Sequence, residues 1–135
     1  KIRLGWNADH RNYLDLAKAA VDGGAAALTV HGRTREARYR YPADWDAISE
    51  VAAAVSVPVI GNGDLLFGHE IQERLRTSGC VAVMTARGAL IKPWIFREAA
   101  EGDWDISADE RVAIYRRYVA LAIEHWRARG EDGGP

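Results

Sequence analysis

One cysteine, one methionine and two phenylalanines are all that the 135 residues hold of those types. The lone Cys80 excludes an intramolecular disulfide, and a zinc cluster would have to draw its ligands elsewhere. This cysteine usage fits a reducing cytoplasm. His10, His69 and His125 have no carboxylate or cysteine at metal-ligand spacing, so no metal site is expected. No apolar run approaches the ~20 residues that span a bilayer, and no signal-peptide pattern opens the chain. Charge of one sign is lacking as well: 18 Lys and Arg stand against 19 Asp and Glu, a formal net charge of -1. No overall field therefore draws the molecule to nucleic acid or membrane, and any polyanion site must be a local patch. There is no G-x-G-x-x-G after any apolar run. An initiating methionine is missing too. Lys1 leads straight into an apolar strand, so the chain is expected to be a piece of something longer.

What is present is an ordinary globular composition, 48% hydrophobic and 27% charged, enough for one core. Lys1 to Leu4 reads as a short strand. Asp9 is a plausible N-cap for a helix through Val21, with Tyr13, Leu14, Ala17, Ala20 and Val21 on one face and Gly23-Gly24 as its stop. Ala26 to Val30 is a second strand, ending in His31-Gly32. Pro42 and Asp44 start a helix whose Trp45, Ile48, Val51 or Ala52, and Val55 recur at helical spacing. Val57 to Ile60 is a third strand, and Phe67 to Thr77 a helix with Ile71 and Leu75 inward. Cys80 to Ala86 is a fourth strand. A short helix covers Pro93 to Ala100. A long one begins at Ser107, where Ser107 and Glu110 form a capping box, and Val112, Tyr115, Val119, Ile123 and Trp126 line one face. Gly130 to Pro135 reads as a fraying tail.

Strands alternating with helices imply a parallel sheet. Four βα units are about half of the roughly 250 residues of a closed eight-stranded barrel. The fold class is α/β: the C-terminal half of a (β/α)8 barrel over residues 1–101, then the start of a helical domain over 102–135. A doubly wound sheet is the rival. Against it stands the placing of the informative polar residues, at the carboxyl ends of four successive strands. A half barrel leaves two edges unpaired, so the missing half or a second copy of the chain must close the sheet.

Those strand ends carry the candidate chemistry. Lys1 and Arg3 share a face of the first strand, where Lys1 is either a partnered interior cation or a strand-end lysine. His31 is either a ligand contact or a hydrogen-bonded structural group. The following loop, Gly32 to Tyr41, is longer than the usual ~2–6 residues. It carries Arg33, Arg35, Arg38 and Arg40 interleaved with Tyr39 and Tyr41, opposed only by Glu36. Arginines among aromatics suit a nucleic-acid backbone with a stacked or splayed base; a solvated surface run is the plainer reading. Asn62-Gly63-Asp64 and Ala86-Arg87-Gly88 look like a phosphate cradle, with Arg87 as a two-pronged clamp. Alone, N-G-D would be only a turn. Cys80 sits at the amino-terminal start of its strand, the wrong end for chemistry, and reads as a small buried hydrophobe.

With those residues in view, the chain resembles the tRNA-dihydrouridine synthase family. The stretches that carry the resemblance are Lys1-Ile2-Arg3-Leu4-Gly5-Trp6, Thr29 to Glu36, Ala43-Asp44-Trp45, Gly61-Asn62-Gly63-Asp64 and Ala86 to Phe96. The ending Trp104-Asp105-Ile106-Ser107 is similar to the branch typified by the larger eukaryotic enzymes. The resemblance implies an FMN-containing barrel followed by a helical tRNA-binding domain, with NADPH reducing the flavin. A hydride then passes to C6 of a uridine flipped out of tRNA, and a cysteine protonates C5. It places Lys1 and His31 at the flavin, and Asn62, Gly63, Asp64, Ala86 and Arg87 at its ribityl phosphate. Arg33, Arg35 and Arg38 fall near the RNA.

The family's catalytic cysteine lies in the half of the barrel that this chain lacks, so no catalytic residue is assigned and the chain alone is expected to be inactive. Two alternatives remain open: another FMN- or phosphate-binding barrel oxidoreductase, such as a dihydroorotate dehydrogenase relative, and a non-catalytic half barrel that dimerises as a binding module.

Overall fold

A computed structural model describes residues 1–130; the tail expected over Gly130 to Pro135 lies, beyond its first residue, outside the described residues. The chain divides into two compact units, Lys1–Asp103 and Trp104–Pro135. The first unit runs β1 (Ile2–Arg3), α1 (Tyr13–Asp22), β2 (Leu28–His31), α2 (Trp45–Ala54), β3 (Val59–Asn62), α3 (Gly68–Thr77), β4 (Ala82–Met84), α4 (Arg87–Ile91) and α5 (Ile95–Glu101). The second contributes α6 (Ala108–Ala128).

All three strand pairings are parallel, in the order β1-β2-β3-β4. Each strand lies beside its predecessor, so the sheet has no point at which the winding reverses, as a doubly wound sheet must. Side chains alternate across it. Leu28 and Val30 of β2 and Val59 of β3 point into a core shared with Ala17, Ile48 and Val51 of the helices, and all six are at most 3% exposed. Gly61 lies on that same face under Trp45: a Cβ there would sit 2.5 Å from the indole ring, so the glycine makes room for the tryptophan. The opposite face carries Arg3, His31, Asn62 and Met84. Parallel, singly wound and covered by helices on one face, the sheet is α/β of the expected kind.

Boundaries moved where local hydrogen bonding overrode periodicity. The helix expected from Asp9 starts at Tyr13, because the Asn7 side chain accepts from the His10 N–H at 2.9 Å and holds the preceding residues in a turn. In α2 the expectation held: the Asp44 side chain accepts from the Ala47 N–H at 2.9 Å, and Trp45, Ile48 and Val51 are buried. In α3, Ile71 is buried but Leu75 is 41% exposed. Gly68 and Gln72, in the amino-terminal half of α3, touch α5, and Leu75 lies beyond them. Ser107 and Glu110 form the expected box at the start of α6, and no residue of α6 is buried.

Candidate functional site

The register of the sheet decides the geometry. Arg3 pairs with His31, His31 with Asn62, and Asn62 with Met84. One residue from each strand therefore stands in a single row on the face away from the helices. That row floors a cavity of about 440 Å³, within the range of small-molecule sites. Asn62 Nδ2 donates to the Met84 carbonyl at 2.7 Å, which fixes its amide across the strand gap. Lys1 is exposed at the open edge, its Nζ 3.3 Å from Met84 Sδ. Arg3 donates to the Thr34 carbonyl at 3.2 Å.

His31 is 8% exposed. Burial first, and then the positive charges of Arg3, Arg33 and Lys1, lower its pKa to about 4. The imidazole is therefore neutral near pH 7. It can donate or accept a hydrogen bond without adding charge.

Asp64 ties the loops together. It follows Gly63 in a left-handed conformation (φ 51°) that aspartate tolerates. Gly63 itself has φ 141°, and the space a Cβ would take is filled by Ala43, 2.5 Å away. One Asp64 oxygen accepts from Arg33 Nη2 and from the Ala43 N–H at 2.8 Å; the other accepts from Arg87 at 3.1 Å. Burial alone would raise the Asp64 carboxyl. The hydrogen bonds from Arg33 and Ala43, with the charges of Arg33 and Arg87, outweigh it and hold the pKa below the ordinary value.

Of the three arginines expected near RNA, Arg33 is turned inward and 5% exposed, its Nε donating to the Tyr41 carbonyl at 2.6 Å. Arg35 and Arg38 are exposed. Tyr39 lies between two guanidinium groups, 5.5 Å from Arg33 and 4.1 Å from Arg87, and so roofs part of the cavity. Ala86 and Arg87 open α4, and Arg87 keeps 45% of its side chain exposed. Lys1, His31, Asn62, Gly63, Asp64, Ala86, Arg87 and Arg33 all line the one cavity. Arg35 and Arg38 do not. Cys80 is buried and free, just before β4, at the other end of the strands from the cavity.

The family model described as dihydrouridine synthase matches residues 1–130. The chain belongs to the dihydrouridine synthase family. A tRNA-dihydrouridine synthase B of Pectobacterium carotovorum is 47% identical over 137 residues, covering 100% of this chain and 42% of the relative. A human tRNA-dihydrouridine(47) synthase-like protein is 47% identical over 132 residues, 93% of this chain and 20% of its own length. One from Coprinopsis cinerea is 41% identical over 138 residues, again 93% and 20%. The chain thus spans between a fifth and under half of these relatives, and bacterial and eukaryotic members match it to similar degrees.

Two features escaped the sequence. Tyr39 was visible as a loop aromatic but not as a roof, because the left-handed turn that precedes it falls on Arg38 (φ 48°), a residue type that gives no such signal. Met84, at the end of an apolar run, was indistinguishable from a core residue, because the strand pairing that sets it beside Asn62 leaves no local signal.

Proposed function

We propose that this chain is the cofactor-holding part of a tRNA-dihydrouridine synthase, in which FMN, reduced by NADPH, serves the conversion of uridine in tRNA to 5,6-dihydrouridine. The observation that carries this reading is the cavity at the carboxyl ends of four adjacent parallel strands. Four cationic side chains line it, Lys1, Arg3, Arg33 and Arg87, against the single carboxylate of Asp64. An anionic phosphate with a ring that gains negative charge on reduction suits such a lining. The buried Arg33 Nη1 has no hydrogen-bond partner among the described residues, a donor left for an acceptor.

Arg87, with Asn62, Gly63 and Ala86, would hold the phosphate, and Asp64 would order Arg87 for it. Lys1 would bring positive charge to the flavin ring, and His31 a neutral hydrogen-bonding group. When bound, the flavin supplies the reducing electrons. Arg35 and Arg38, at the exposed rim, would meet the tRNA backbone, with Arg33 marking the boundary between cofactor and RNA. Residues 1–101 would form half of an eight-stranded barrel, closed by further strands or by a second copy. Residues 102–135 would open a helical tRNA-binding domain. The acid that protonates the base must come from outside this chain, since its one thiol is buried away from the cavity. Among the described residues no helix is long and apolar enough to cross a membrane; a reducing cytoplasm is the setting we infer from the lone thiol.

The protein carrying the complete reading frame provides the test. Purified, it should stay yellow through gel filtration and, with NADPH, form dihydrouridine in a tRNA that lacks it. Colourless protein that takes up no FMN, or bound FMN with no dihydrouridine formed, rejects the reading.

A further inference from the structure

We propose that Trp6 is a stacking platform for a second unpaired base of the RNA, set on the rim and separate from the base that enters the cavity. The inference rests on the tRNA reading above and adds to it a subsite and its ligand class.

Trp6 lies three residues beyond β1, at the same end of the sheet as His31 and Asn62. It is 58% exposed. A tryptophan left mostly in water forgoes the large burial that makes the residue valuable in a core, yet this one is held firmly. Its backbone N–H donates to the His10 carbonyl at 3.0 Å, and its own carbonyl accepts from the Glu36 N–H at 2.9 Å. The indole Nε1 donates to Glu36 Oε1 at 3.0 Å. The Arg35 guanidinium lies 5.6 Å from the ring, and the Arg35 N–H is itself tied to the Gly5 carbonyl at 2.9 Å. The loops after β1 and β2 are thereby zipped together, and the indole loses little freedom when something docks on it.

A fixed, exposed aromatic plane beside cations is what sequence-tolerant single-strand binding requires. The charge around Trp6 points to a nucleic acid. Between Gly32 and Tyr41 there are four arginines and one glutamate, and that glutamate is engaged by the indole. Arg38 and Arg40 are exposed and make no ion pair among the described residues. Tyr39, the other candidate plane in this loop, already lies between Arg33 and Arg87.

The experiment uses the full-length protein and an unmodified tRNA transcript, with binding measured by anisotropy across a salt series and flavin absorbance as the check on folding. Trp6→Ala should weaken RNA binding by about 5- to 150-fold, the equivalent of ~1–3 kcal/mol per stacked base, with FMN content unchanged. Trp6→Phe should restore most of the affinity. The dependence of log K on log salt should be the same in Trp6→Ala as in the unaltered protein, whereas Arg38→Ala should flatten the slope by roughly 0.7. A merely structural tryptophan would move the slope with the affinity, because loosened loops displace their arginines. Trp6→Ala binding RNA normally, or Trp6→Phe binding no better than Trp6→Ala, overturns the platform alone. An unaltered protein that binds no tRNA overturns the platform and the functional reading together.

Discussion

Arg87 donates to Asp64 across 3.1 Å, so the guanidinium proposed above to grip a phosphate is already aimed by a carboxylate. The same carboxylate holds Arg33 through its other oxygen. Asp64 therefore orients two of the four cations of the cavity, Arg33 and Arg87.

Removing that guanidinium should separate phosphate recognition from ring recognition. Arg87→Ala in the full-length protein should weaken FMN binding by roughly 10- to 100-fold, the scale of one charge-assisted hydrogen-bonded contact. Riboflavin, which has no phosphate, should bind as before. Equal losses for both ligands, measured by flavin fluorescence quenching, would place Arg87 at the ring instead.

Asp64→Asn keeps an acceptor for the Ala43 N–H but gives up the charge that pairs with both arginines. We expect it to cost about 1–3 kcal/mol of stability at neutral pH. Because the folded-state pKa of Asp64 is depressed, this contribution is present above the unfolded carboxyl pKa and is lost as pH falls through the folded value. Urea unfolding should show a constant gap between wild type and Asp64→Asn from about pH 5 to 8, closing below about pH 4.

His31 gives the complementary signature. Its folded pKa of about 4 lies below the ordinary histidine value of 6.5, so the unfolded chain binds the proton more tightly. The stabilising preference for the neutral ring is fully present above pH 6.5 and declines as pH falls toward 4. NMR titration of the His31 ring should give a midpoint near 4, and His31→Gln should lack this arm of the acid-stability profile. A midpoint near 6.5 would show that the ring is not desolvated.

Gly63→Ala should be costly for two independent reasons. The φ of 141° disfavours any side chain, and the new methyl would stand 2.5 Å from Ala43 Cβ. A loss of about 2 kcal/mol or more is expected by chemical denaturation, with flavin retention falling in parallel.

Much of this arrangement was written locally in the chain. The strands β3 and β4 were legible as apolar runs, but their ends were not: β3 runs two residues past Ile60 to Asn62, and β4 stops at Met84, two short of Ala86. The α2 stripe was legible because Trp45, Ile48 and Val51 repeat at helical spacing. The glycines invited a different explanation from the one the packing supplies: Gly61 makes room for Trp45, and Gly63 stands against Ala43. The Asp64 partnerships were not legible, since they join residues 31 and 23 positions apart through tertiary placement alone. Nor was α4, whose five residues are too few to show a period. Arg33 looked like its neighbours in an arginine-rich loop; only folding turned it inward.

The single row formed by Arg3, His31, Asn62 and Met84 has a bearing on how this protein tolerates change. Since strand side chains alternate, the hydrophobic pattern that seats Val30 against the helices is also what aims His31 at the cavity. A slide of β2 by one position would swap the two outright. Substitutions deep under the helices, at Leu28 or Val59, can thus disturb the pocket without touching it.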